Sequence, residues 1–371
     1  MPATRQNQDV APLPLPQRLA HRVLELVDIP SPSRSEAALA EHVSGTMPDS
    51  PPISLAYAHD TCLWYRTART EGTPVAVLAG HLDTVPPQGN LPGRISGTHV
   101  HGLGASDMKG GLAVMLELAG WMAREHPRLS TSLDFVFFGR EELAVAESPL
   151  PQLLDDDRFA ADLVVVLEPT DNELQAGCLG NINARLIFEG ESAHSARPWT
   201  GTNAIGLAVH GLLPLVDLEP APVEIDGLTF YEVVSVTGIS GGIASNVIPG
   251  KAEAMLNFRY APTRSPGEAE ARLRELAGPS GRLLIESNSP SGRVDLRAPI
   301  VQRLLDAGDL KVAPKQAWTP VAQFTERGFN AVNLGPGATR YAHKRDEQVE
   351  IAELVRAYEV LQRFATGTVG R

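Results

Sequence analysis

Val75-Ala76-Val77-Leu78-Ala79-Gly80-His81-Leu82-Asp83-Thr84-Val85-Pro86 begins as an almost wholly apolar run and ends abruptly in an imidazole and a carboxylate. The unbroken apolar character of residues 75–79 reads as a fully buried strand. Residues two apart in a strand share a face, so at the strand end Asp83 can orient or polarise the ring of His81. That is the usual relation of an outer partner to a metal-bound histidine. Taken alone, His-x-Asp is more often a turn with a satisfied histidine. Its meaning depends on whether other strands end the same way.

Several do. Leu133-Asp134-Phe135-Val136-Phe137-Phe138 runs towards Glu141-Glu142, and Leu163-Val164-Val165-Val166-Leu167 ends in Glu168-Pro169. Phe329 to Leu334 leads into Gly335-Pro336-Gly337, with His343 shortly after. Between them, the glycine-rich loop 102–111 carries Asp107 into an apolar helix predicted over Leu112 to Met122. Nearer the N-terminus, Leu19, Val23, Leu26 and Val27 fall at helical spacing, closed by Pro30. Ser33 with Glu36 fits a capping box for a second helix through Val43. Strands alternating with helices indicate an α/β sheet covered on both faces.

The pattern changes near Cys178. A strand over Ala184 to Glu189, a helix over Asn203 to Val216 and strands over Tyr231 to Ile239 and Ala252 to Tyr260 come first. A helix over Pro266 to Leu276 and a strand near Leu283 to Glu286 follow. The order β-α-β-β-α-β suits a small open sheet with helices on one face. Alternation of the first kind resumes near Val294 and closes with a helix over Ile351 to Phe364. The expected organisation is a flexible Pro-rich tail (1–15), a catalytic domain in two parts (16–177 and 294–371) and an inserted domain (178–293).

Length and composition bound the function. At 371 residues two domains are expected, and 43% hydrophobic residues support a sizeable core. A formal charge of −12 argues against nucleic acid or an anionic membrane as the main partner. Cys62 and Cys178 lie far apart without CxxC spacing, so a metal would rely on nitrogen and oxygen ligands. With no membrane-spanning run and no apolar signal core in residues 1–16, the expected location is the cytoplasm.

The strand-end residues form one chemical set. Ligand sites in open α/β sheets lie outside the carboxyl ends of the strands, where His81, Asp83, Glu141, Glu142, Glu168 and His343 converge. Asp107 joins them from a helix N-terminus, although by itself it would read as an N-cap. Two histidines and three carboxylates suit two divalent ions if one carboxylate bridges, leaving positions open for water and substrate. Glu141 and Glu142 point in different directions if extended, so one can bind metal while the other, beside it, handles protons.

The segments GHLDTVP (80–86), GLGASDMKGG (102–111), REE (140–142), LEPT (167–170) and AHKRDE (342–347) resemble those of the M20 family of dinuclear zinc amidohydrolases and peptidases. The resemblance extends over nearly the whole chain after the tail. It implies a zinc-peptidase-like α/β/α sandwich with an inserted ferredoxin-like α+β domain serving as lid and dimer interface. Residue by residue, it implies His81 and Glu168 on one zinc, Glu142 and His343 on the other, and Asp107 bridging. Glu141 would then be the general base and Asp83 the partner of His81. His and carboxylate ligands also accept cobalt or manganese.

Three segments of the inserted domain, AHSARPW (193–199), GGIASNVIP (241–249) and NFRY (257–260), resemble the branch of that family that cleaves N-succinyl-LL-2,6-diaminopimelate. The resemblance implies that His194 reaches across a homodimer interface to the oxyanion. It also implies that Asn246 and Arg259 hold substrate carboxylates, with Arg197 as a helper. A histidine, an asparagine and two arginines are donors suited to an anionic small-molecule amide. In Trp318-Thr319-Pro320-Val321, Pro320 stands where relatives with this lid often carry Asp. Two alternatives stay open: another deacylase or dipeptidase of the family, sharing every metal ligand, and a metal-binding scaffold without catalysis. Glu141 argues against the scaffold, because binding metal does not require a base.

Overall fold

A computed structural model describes residues 13–368. Of the expected tail, residues 1–12 lie outside the described residues, and Leu15 already opens the helix Leu15–Val27 with a proline in its first turn.

The larger sheet has eight strands. Their spatial order is Ile53–His59, Cys62–Thr67, Ser132–Phe138, Val75–His81, Leu163–Val166, Ala331–Asn333, Leu174–Ala176 and Val312–Pro314. Val75–His81 is central and pairs parallel with Ser132–Phe138 on one side and Leu163–Val166 on the other. Alternation along these strands divides the side chains between two cores. Ala76, Leu78, Phe135, Phe137 and Val165 pack with the helices Leu15–Val27, Gly110–Glu125, Pro299–Gly308 and Ile351–Thr366. Val77, Ala79, Val136, Phe138, Val164 and Val166 pack with the short helices Leu150–Leu154 and Val321–Glu326. A strand buried on both faces has no polar alternation to show, which is why residues 75–79 are apolar throughout. Gly80 permits the close approach of helix 110–125: a Cβ there would lie 2.7 Å from Leu112 Cδ2.

The chain leaves this sandwich at Cys178 and returns at Gly292, where the two crossing segments pair antiparallel. Between them lies a five-stranded antiparallel sheet, in the order Ala221–Ile225, Leu228–Gly241, Lys251–Tyr260, Gly180–Glu189 and Arg282–Ser289. One face buries Ile182, Leu186, Phe188, Leu256 and Phe258 against the helices Ala204–Val216 and Pro266–Ala277. The other face carries Asn181, Asn183, Asn257 and Arg259, which the register sets side by side.

Some elements differ from the sequence reading. The capping box at Ser33 does not form: the helix is Ala37–Thr46, and the Ser33 hydroxyl donates instead to Asp83 Oδ2 at 2.8 Å. Glu36 Oε1 accepts main-chain N–H groups from Arg34 at 2.9 Å and Arg140 at 3.1 Å. The edge strand Ala221–Ile225 was not foreseen, although Asp226 and Gly227, both at positive φ, form the tight turn that joins it to the next strand. A three-stranded sheet of Arg94–Ser96, His99–His101 and Gln348–Glu350 was also not foreseen. Strands of three residues are too short to display a period. Among the described residues, no helix is long and apolar enough to cross a membrane.

Candidate metal centre and substrate cavity

His81 is 1% exposed at the end of its strand. Its Nδ1–H donates to the main-chain carbonyl of Asp83 at 2.9 Å, while the Asp83 carboxylate stands off at 3.6 Å. The ring is thus oriented by Asp83 through its carbonyl. The Asp83 carboxylate accepts the main-chain N–H groups of Glu141 at 2.9 Å and Glu142 at 3.0 Å. This residue therefore fixes both the imidazole and the turn that presents the two glutamates.

With Nδ1–H committed to a carbonyl, His81 turns Nε2 inward, 3.1 Å from Asp107 Oδ1 and 4.0 Å from Glu168 Oε1. His343 Nε2 lies 2.9 Å from Glu142 Oε1 and 3.7 Å from Asp107 Oδ2. Asp107 stands between the two imidazoles and offers one oxygen to each. Ligand atoms of His81, Asp107 and Glu142 all lie within 4.8 Å of one another. The loop bearing Asp107 is held by Glu347, 2% exposed, whose carboxylate accepts N–H groups from Gly104 at 2.8 Å, Ser106 at 3.0 Å and Asp107 at 2.9 Å. Gly335 clears room for Glu168, since a Cβ there would lie 2.6 Å from the Glu168 carbonyl oxygen.

So many carboxylates in one buried place repel one another. Burial first, then Glu168, Glu142 and Asp107, hold the Glu141 carboxyl well above its ordinary range, against the pull of His81. Burial and then Asp107 push Glu168 up to about 7. The hydrogen bond to Glu142 raises His343 to about 9. Glu168 Oε1 is buried without a hydrogen-bond partner, which is costly unless a cation takes that place. An orphaned carboxylate oxygen, inward imidazole nitrogens and a carboxylate shared between them fit a pair of divalent ions.

The cluster forms the floor of a cavity of about 450 Å³ between the two domains. Its walls include Arg259 and Asn181 from the inserted domain, and Lys315, Trp318 and Thr319 from the sandwich. Arg259 Nε donates to Asn257 Oδ1 at 2.9 Å, and Asn257 in turn donates to Asn181 Oδ1 at 2.7 Å. Burial lowers the Arg259 pKa. Pro320 begins the helix Val321–Glu326, its carbonyl accepting from Gln323 N at 2.9 Å. Proline suits the opening of a helix, where its missing N–H is not needed.

His194, Arg197 and Asn246 are exposed and lie outside this cavity. Strands Ala193–His194 and Val247–Ile248 pair, and Ser195 N donates to the Asn246 carbonyl at 2.9 Å. The structure therefore brings His81, Asp107, Glu141, Glu142, Glu168, His343 and Arg259 together in one chain and gathers the other lid residues elsewhere. Sequence reading missed Ser33, Asn181, Lys315 and Glu347. Only Glu347 left a trace, as the last letter of AHKRDE.

Residues 77–367 match the family model described as peptidase family M20/M25/M40. A succinyl-diaminopimelate desuccinylase from Corynebacterium glutamicum is 35% identical over 351 residues, covering 91% of this chain and 94% of that protein. Among solved structures, an aminopeptidase from Bacillus cereus superposes with a TM-score of 0.78 at 19% identity, covering 95% and 98% of the two chains. A dinuclear metal-binding peptidase of the M20 family from Bacillus subtilis gives 0.67 at 16% identity, with the same coverage.

Proposed function

Because this chain belongs to the M20/M25/M40 peptidase family, we propose that its cavity hydrolyses the amide of N-succinyl-LL-2,6-diaminopimelate, releasing succinate and LL-2,6-diaminopimelate. One observation carries the reading: a carboxylate-rich centre and the half-buried guanidinium of Arg259 line the same cavity. Such a site suits an amide whose arms end in carboxylates. The kinship with the Corynebacterium glutamicum desuccinylase supports the same substrate.

His81 and Glu168 are assigned to one ion, Glu142 and His343 to the other, and Asp107 to both, with zinc as the proposed metal. Divalent ions held there supply Lewis acidity that polarises the carbonyl and acidifies water. Glu141 accepts a proton from the attacking water as the C–O bond forms. It returns that proton to the amine nitrogen as the C–N bond breaks. Burial and the neighbouring carboxylates favour the protonated state of Glu141 once the proton has moved. Asp83 keeps the Glu141–Glu142 turn in place through two main-chain bonds. Arg259, braced by Asn257, holds the carboxylate of the acyl arm.

The chain is proposed to act as a homodimer through the inserted domain (178–293), set within a catalytic domain formed by 16–177 and 294–371. Helix Ala204–Val216 buries Ala204, Ala208, Leu212 and Leu215 inward and exposes Ile205, Val209, Leu213 and Val216 on its other side. An exposed apolar stripe of this kind calls for a partner surface, and a second copy supplies one by twofold symmetry. His194 and Asn246 lie beside the start of this helix, where Ala204 N donates to the Pro249 carbonyl at 2.9 Å. His194 of one subunit is assigned to the oxyanion in its partner, and Asn246 and Arg197 to substrate carboxylates. Mixing inactive His194→Ala with inactive Glu141→Gln subunits is then expected to restore activity, because one site per hybrid regains both groups. No recovery, or full activity in a monomer, would exclude the shared site.

The substrate is tested with an acyl pair. Replacing succinyl with acetyl removes one carboxylate without altering the scissile amide. Donors left unpaired in a buried site are costly, so kcat/KM is expected to fall by about a hundredfold, roughly 2.7 kcal/mol. Equal efficiency on both would reject the desuccinylase reading and leave the wider class of acyl-amide hydrolases.

A further inference from the structure

The cavity holds a second buried cation that the chemistry above does not use. Lys315 follows the strand Val312–Pro314, at the carboxyl end where ligand sites of such sheets lie. Its main-chain N–H is tied to the Ala176 carbonyl at 3.3 Å. The residue is 3% exposed, yet it lines the same cavity as Asp107, Glu168 and Arg259. An ammonium carries three N–H donors, and burying one without partners costs several kcal/mol. Among the described residues, Lys315 Nζ donates to the Pro169 carbonyl at a long 3.5 Å, and no carboxylate forms a salt bridge with it.

Balancing Asp107 and Glu168 is the simplest role for this charge, since it favours the ionised form of both. Both, however, are assigned above to divalent ions, so their charge is already matched. With those ions in place, an extra buried cation needs an anion of its own. Arg259 approaches from the inserted domain, whereas Lys315 is anchored in the sandwich next to Pro169, the residue after Glu168. Of the two cations, it is the one held against the chain beside Glu168. In the proposed substrate, the carboxylate nearest the scissile bond sits on the carbon bearing the amide nitrogen. The succinyl carboxylate is two methylenes beyond the carbonyl.

We propose that Lys315 is a specificity residue that binds the carboxylate flanking the scissile amide on the amine side, through the free N–H donors of its ammonium. The assignment rests on the amide-hydrolase reading but not on the identity of the acyl group. It adds a requirement on the amine portion: an amino acid with a free α-carboxylate is accepted, and its carboxamide is not.

The test compares two substrates sharing whichever acyl group the parent enzyme cleaves faster, one with the α-carboxylate and one with the α-carboxamide. Lys315→Met is expected to lose at least about thirtyfold in kcat/KM on the carboxylate, mainly through KM. On the carboxamide it should stay within about threefold of the parent, since the lost partner is absent there. Lys315→Arg should recover part of the loss, and metal content should match the parent in both variants. Equal losses on the two substrates, lowered metal content, or a parent indifferent to the α-carboxylate would each overturn the proposal. A parent that cleaves acetyl as well as succinyl would defeat the desuccinylase reading alone, because the acyl group is constant within the pair.

Discussion

Replacing Asp107 with Ala is expected to deplete both metal positions at once and to abolish hydrolysis. Its two oxygens face different imidazoles, His81 Nε2 at 3.1 Å and His343 Nε2 at 3.7 Å. If Asp107 bridges as proposed, its removal would take one ligand from each ion and also the negative charge that offsets their mutual repulsion. Losing an outer partner of a ligand costs about 10–100-fold in affinity, and losing a shared ligand should exceed that. Elemental analysis of the purified variant reads the metal directly, and circular dichroism checks that the fold survives. Full metal content with full activity would overturn the bridging role. Loss of a single ion would reassign Asp107 to one position.

Glu141→Gln separates binding from chemistry. The amide keeps the shape of the side chain and cannot accept the proton from water. Glu141 carries no assigned ion, and its main-chain anchor to Asp83 is unaffected by the change. Metal content is therefore expected to stay near that of the parent, while kcat falls by about a hundredfold to ten-thousandfold, the scale for losing a general base. Glu142→Gln should behave in the opposite way and lose metal, because its Oε1 lies against His343 at 2.9 Å. If Glu141→Gln lost metal and Glu142→Gln kept it, the two roles would be exchanged.

Much of this centre was legible before any coordinates. A run such as residues 75–79, or Phe135 to Phe138, is apolar because both faces are covered. Where such a run stops, the polar residues that follow must lie at the sheet edge. The sheet itself therefore aligned His81, the Glu141–Glu142 pair and Glu168 along one rim. The β-α-β-β-α-β order after Cys178 likewise marked a small open sheet with helices on one face.

The supports of the site were not legible in the same way. Ser33 looked like a helix cap, yet its hydroxyl donates to Asp83, and the cap bond it would have made is absent. Glu347 drew no reading of its own within AHKRDE, yet it gathers three N–H groups of a loop some 240 residues earlier in the chain. Lys315 carried no signal, because a lysine after a short strand is ordinarily solvated.

The sequence by itself determined which residues end the buried strands, because burial imposes a period and a polarity that each segment must obey locally. It also determined the two-layer change at Cys178, through the switch in the order of strands and helices. Only the tertiary structure decided that Asp83 orients His81 through its carbonyl and spends its carboxylate on the Glu141–Glu142 turn. It alone brought Arg259 to the cavity of the carboxylate cluster, joined Glu347 to the Asp107 loop and turned Lys315 inward. Those contacts depend on register and packing between segments far apart in the chain, and no local period encodes where a distant side chain will arrive.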